Sequence, residues 1–160
     1  MKVLVSSSVK EGVEELVREL VELGFEILAT EGTAKYLAEK GVKVTPLSQI
    51  TGIEESRELK TLHPEIYRMI FSGKIKAVVV IPYQFEKNPS KENIDIGGIS
   101  LLRAAAKAGV PAAYDFESFI ELVEVLKGCI DWKEDNAARV FGFTAEYDRK
   151  IAEWFENEAP

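Results

Sequence analysis

Apolar positions along this chain switch repeatedly between two periods, and the switching predicts its layout. Val3 to Val5, Phe25 to Ala29, Val42 to Thr45, Ala77 to Ile81 and Pro111 to Tyr114 are short, mostly β-branched or aromatic runs of strand type. Helical spacing appears between them. It is carried by Val13, Leu16, Val17, Leu20 and Val21, then by Ala34, Leu37 and Ala38. Ile66, Met69 and Ile70 repeat it, as do Leu101, Leu102, Ala105 and Ala106, and then Phe116, Phe119, Ile120, Val123 and Leu126. Gly24 and Gly41 suit the left-handed stop after a helix, and Pro64 suits a first turn. The run from Ala77 to Ile81 has no polar break and predicts a strand buried on both faces. Gln49 to Lys60 has no clean period and reads as a loop with helical pieces. A last stripe, Ala137, Val140, Phe141, Thr144, Tyr147, Ile151, Trp154 and Phe155, is too apolar for a solvated helix. It must dock on its own domain or on a second subunit.

Strands alternating with helices predict an α/β fold. We expect a single doubly wound, mostly parallel open sheet of about five strands, with helices on both faces and a C-terminal helix. No repeat or linker divides the 160 residues, so one domain spans 1–160, an α/β core over 1–128 followed by a helical extension over 129–160. In such folds the loops after the strands share one rim, where ligands bind.

Charge narrows the partners. A formal charge of −7 argues against nucleic acid, and an anionic ligand would need a local positive pocket. Cys129 is the only cysteine, and no Cys/His grouping has metal-ligand spacing, so no metal is expected. A reducing, cytoplasmic setting follows, and no stretch reaches the length of a membrane span. The opening Met1 to Val5 reads as a strand rather than a signal peptide.

The rim carries the candidate chemistry. Ser6-Ser7-Ser8 and Thr30-Glu31-Gly32-Thr33 each lie between a strand and a helix start, with Lys10 and Lys35 nearby. Hydroxyls, a glycine and helix-terminal N–H groups make phosphate cradles, although Ser and Thr are also ordinary helix caps. The patterns of a P-loop or a dinucleotide loop are absent. Asp95 precedes the Gly97-Gly98 pair at a helix start, and Lys107 closes that helix, which makes an acid and an amine on one element. The competing reading is an Asp that caps its own helix. Lys60, in Lys60-Thr61-Leu62-His63-Pro64, is a second candidate proton carrier, and Tyr83 could offer a phenol to an oxyanion. With no Ser–His–Asp order or reactive Cys, hydrolysis through a covalent intermediate is not expected.

The motifs Ala29-Thr-Glu-Gly-Thr-Ala-Lys35, Leu59-Lys-Thr-Leu-His-Pro64, Tyr83 with Phe85, Ile94-Asp-Ile-Gly-Gly98, Leu101-Leu-Arg-Ala-Ala-Ala-Lys107 and Phe143-Thr-Ala-Glu-Tyr-Asp148 occur in one order over nearly the whole chain. In this the sequence resembles the IMP cyclohydrolase domain of the PurH family, of methylglyoxal-synthase-like fold, here in stand-alone form. The resemblance implies dehydrative closure of the formylated aminoimidazole carboxamide ribonucleotide (FAICAR) to inosine monophosphate (IMP), with no cofactor or metal. By position it implies Lys60, Tyr83, Asp95 and Lys107 at the reacting end. Ser8, Lys10, Thr30, Gly32 and Thr33 would hold the 5′-phosphate, with Thr61, Ile81, Gly97 and Gly98 lining the substrate. A homodimer is implied as well. The chain departs from the family at Glu31, where a second glycine is usual, at Glu58 in place of Arg, and at Ile81-Pro82 in place of Asn-Leu. A regulatory phosphometabolite- or nucleotide-binding domain of the carbamoyl-phosphate synthetase type is the alternative. Methylglyoxal synthase is a weaker third, since its Asp- and His-bearing loop motifs are missing.

Overall fold

The computed structural model of the protein describes residues 1–53, 62–131 and 135–157. Its strands β1 (Lys2–Ser7), β2 (Glu26–Ala29), β3 (Thr45–Pro46), β4 (Ile75–Ile81) and β5 (Ala112–Ala113) form one sheet of order β3-β2-β1-β4-β5. Every pairing is parallel, with Val5 beside Ala29, Ser7 beside Ile81 and Val79 beside Ala113. The helices are α1 (Val13–Glu22), α2 (Glu31–Glu39), α3 (Leu47–Thr51), α4 (Pro64–Phe71), α5 (Gly97–Ala108), α6 (Phe116–Leu126) and α7 (Asn136–Asn157). The expected open parallel sheet of five strands is observed. Two strands are shorter than the apolar runs suggest: Val42 lies outside β3, and Pro111 and Tyr114 flank β5.

Alternation along each strand splits the core into two layers. Leu4, Leu28, Val78, Val80 and Ala112 face one side, under Ile66 and Ile70 of α4, Leu101 and Leu102 of α5, and Val140 and Tyr147 of α7. Val3, Val5, Ile27, Ala29, Val79 and Ile81 face the other, under Val17 of α1, Leu37 of α2 and Phe119 of α6. The helical stripes of α1 to α6 match this burial with two exceptions. Ala38 is exposed, and so is Ile120, while Leu122 takes the buried place on α6. The edge strand β5 is finished by a side chain: the buried Asn136 amide accepts from Ala112 N–H at 3.2 Å and donates to its carbonyl at 2.9 Å. That pairing starts α7 on the sheet edge, and the helix docks along its own domain. Phe141 and Phe155 stay exposed. No helix among the described residues is long and apolar enough to cross a membrane.

β1 has β2 on one side and β4 on the other, so the chain changes direction between β1 and β4. In an open parallel sheet the carboxyl ends at that reversal splay apart and leave a crevice.

Candidate functional site

At the reversal point the two strand ends are tied together. Ser8 donates its N–H to the Ile81 carbonyl at 2.9 Å and its hydroxyl to the Pro82 carbonyl at 2.7 Å. Beside this tie lies a cluster of hydroxyls and one ammonium. The Thr33 hydroxyl accepts from Ser7 N–H at 3.0 Å and from Lys10 Nζ at 3.0 Å. Lys10 also donates to the Ser7 carbonyl, and the Thr30 hydroxyl lies 3.2 Å from that of Thr33 and 3.3 Å from that of Ser6.

Thr30 stands in the capping position of α2 but its side chain accepts no N–H of the first turn. Its hydroxyl is spent on the cluster. The helix therefore presents its N-terminal N–H groups and partial positive charge alongside Lys10. Gly32, in that first turn, is exposed, and a β-carbon there would lie 3.8 Å from Lys10 Nζ, so it leaves an open approach. Glu31 points elsewhere: its Oε1 accepts from Ser48 N–H at 3.3 Å at the start of α3. The residue that departs from the family pattern thus ties α2 to its neighbour.

The second half of the rim follows β4. Ile81 is buried and offers its carbonyl, while Tyr83 is 39% exposed. Asp95 stands just before α5, and its Oδ1 accepts from Gly98 N–H at 2.7 Å. Its own N–H donates to the Tyr147 hydroxyl at 2.9 Å. Gly98 is dictated by crowding: a β-carbon would fall 2.7 and 2.8 Å from the Asp95 oxygens and 2.8 Å from Val80 Cγ1. The capping reading of Asp95 is therefore correct for one of its oxygens. Gly98 N–H is consumed by Asp95, whereas Gly97 N–H takes no acceptor among the described residues.

Lys107 is not brought to this rim. About 15 Å of helix, at ~1.5 Å per residue, separates it from Gly97. It lies instead in an open depression of about 390 Å³ with Tyr67, Phe71, Ser100, Arg103, Ala104 and Phe141. There the Arg103 guanidinium sits 5.3 Å from the Phe141 ring centre. Lys60 and Thr61, with Glu58, lie outside the described residues. His63 is structural: its Nδ1 accepts from Glu65 N–H at 3.2 Å and caps α4.

A cavity of about 420 Å³ continues from Tyr83 under α7, between Ile81 to Lys87, Tyr114-Asp115 and the α7 side chains Phe143, Glu146, Tyr147 and Lys150. Phe143 stacks on Tyr114 with ring centres 4.6 Å apart, and Trp154 meets Phe85 edge-on at 5.6 Å. Burial pushes the Tyr147 phenol above its ordinary pKa, so it stays a neutral donor. Sequence reasoning missed Tyr147 as a partner of Asp95 because its helical spacing marks it only as core. Its hydroxyl was the available signal, since a buried phenol needs a polar partner.

The model of the MGS-like domain family matches residues 12–114. The bifunctional purine biosynthesis protein PurH of Aquifex aeolicus is 37% identical over 98% of this chain and 37% of its own length. PurH of Oceanobacillus iheyensis is 33% identical over 96% of the chain, and that of Desulfitobacterium hafniense 36% identical over 94%. The chain spans only 35–37% of the length of these relatives. Among solved structures, the crystal structure of ForH superposes with a TM-score of 0.76, covering 97% of this chain and 98% of that one at 24% identity.

Proposed function

The chain belongs to the MGS-like domain family and is homologous to PurH over nearly its whole length, and from that premise we propose that it is an IMP cyclohydrolase of purine biosynthesis, acting in the cytoplasm. On this reading the carboxamide nitrogen of FAICAR attacks the formyl carbon and the ring C–N bond forms. The former formyl oxygen leaves as water, carrying one proton from the attacking nitrogen and one from the formamido nitrogen. A proton must therefore be removed and another delivered, which suits Asp95 working with an amine brought to the rim.

The observation that carries the proposal is the hydroxyl and ammonium cluster of Thr30, Thr33 and Lys10 beside the N-terminus of α2, at the reversal point of the sheet. We assign it the 5′-phosphate, with Ser8 and Gly32 completing the approach. Tyr83, Asp95 and the Gly97 N–H then meet the base end, where the N–H suits a developing oxyanion. Ile81 and Gly98 shape the walls, and Lys60 and Thr61 join them in this assignment. A role for Lys107 requires a second copy, because its own chain holds it at the far end of α5. We therefore propose a homodimer in which the partner's Lys107 reaches the rim.

Incubating the protein with FAICAR and following IMP by absorbance and chromatography tests the proposal. A fall in turnover of about 10²–10⁴-fold in Asp95→Ala supports it. Binding of IMP without any turnover would favour the regulatory reading, for which the separation of Lys107 from Asp95 within one chain is the specific argument.

A further inference from the structure

We propose that Tyr147, on the C-terminal helix, is a positioning residue for Asp95. This rests on the cyclohydrolase reading and extends it to an element outside the rim. The Tyr147 hydroxyl bonds on both sides of residue 94: it accepts from Asp95 N–H at 2.9 Å and donates to the Asn93 carbonyl at 3.4 Å. The short extended step at Ile94 (φ −79°, ψ 113°), between a 3-10 turn over Lys91–Asn93 and α5, is thereby pinned by a side chain 52 residues beyond Asp95. The ring that carries the hydroxyl cannot drift. Tyr147 is only 8% exposed and belongs to the same core layer as Val80 and Leu101, with the Phe143 ring centre 6.5 Å away.

Asp95 is consequently held from two directions. Gly98 N–H fixes its carboxylate and Tyr147 fixes its backbone. The two ties act on different parts of the residue. The carboxylate–Gly98 bond orients the side chain relative to α5, while the loop that brings Asp95 to the helix start depends on the phenol. A reacting group displaced by about an ångström can lose on the order of a hundredfold in rate. The hydroxyl therefore acts on turnover through Asp95 without touching substrate.

Tyr147→Phe in the full chain removes only the hydroxyl and leaves the packed ring. With FAICAR we expect kcat to fall at least about tenfold while KM and the affinity for IMP stay within about twofold. In an Asp95→Ala background the same substitution should cost nothing further, because the residue it positions is gone. Near-native kcat in Tyr147→Phe, or an equal loss in both backgrounds, overturns the assignment. Amide hydrogen exchange supplies a second readout that needs no activity. The Asp95 and Gly98 amides should exchange at least about tenfold faster in the variant, with the α1 and β4 amides unchanged. If the wild-type protein fails to turn over FAICAR, the cyclohydrolase reading falls while exchange still decides the tie. Unchanged exchange at Asp95 and Gly98 then overturns the positioning role.

Discussion

Two glycines carry opposite expectations for one substitution. At Gly98 a β-carbon would meet the Asp95 oxygens and Val80 well inside contact distance. Gly98→Ala should therefore destabilise the fold by about 1–3 kcal/mol and displace Asp95. At Gly142, exposed in the middle of α7, nothing lies within 4 Å of the added carbon. Gly142→Ala should stabilise by about 0.5–1 kcal/mol, since alanine restricts the unfolded chain and favours helix. Urea unfolding of both variants checks the pair. The Gly97-Gly98 pair was visible in the sequence as a functional signal, yet the reason for Gly98 was not. It lies in the approach of a carboxylate three residues back and a valine of β4, which no local pattern records. The phosphate assignment has its own test at this scale. Lys10→Ala should weaken IMP binding by about 1–3 kcal/mol, the scale of a charged hydrogen bond, and affinity should fall with added salt. Calorimetry giving inosine the same affinity as IMP would remove the cradle from the site.

At the scale of elements, periodicity located the strands and helices because each element buries one face or both, and burial imposes the period. It misplaced Ala38, the small last member of its stripe, and Ile120, because the buried sector of α6 runs through Ser118, Phe119, Leu122 and Val123 instead. The role of α7 was open between docking at home and docking on another subunit. What decides it is partly polar: the Asn136 amide pairs with Ala112 on the sheet edge, and the Tyr147 hydroxyl holds the Asp95 loop. Such long-range bonds leave no trace in hydrophobic spacing. Asn136→Ala should cost about 1–3 kcal/mol by leaving both main-chain groups of a buried edge residue unpaired. Urea titration measures it, and a loss below about half a kcal/mol would mean that water replaces the amide.

For the molecule as a whole, the fold separates two residues that one active site is proposed to use. Asp95 and Gly97 stand at the start of α5, on the carboxyl edge of the sheet, while Lys107 stands in its last turn beside Tyr67, Arg103 and the exposed Phe71 and Phe141. A helix is rigid over this distance, so no motion of a lysine side chain closes about 15 Å. Sequence spacing already implied the separation, since Lys107 closes the helix that Gly97 opens; only the structure shows which end faces the rim. If a two-fold dimer joins the partner's Lys107 to Asp95, each site draws on both copies. Asp95→Ala and Lys107→Ala chains, each nearly inactive alone, should then complement when mixed and allowed to exchange. Random pairing makes half of the dimers mixed, and one of the two sites in each mixed dimer has both residues. Turnover should therefore recover to roughly a quarter of the wild-type rate. Light scattering on the same samples should give the mass of two chains at micromolar concentration. A single-chain mass, or no recovery once subunit exchange is complete, would remove Lys107 from the reacting end and leave that step to groups of one copy.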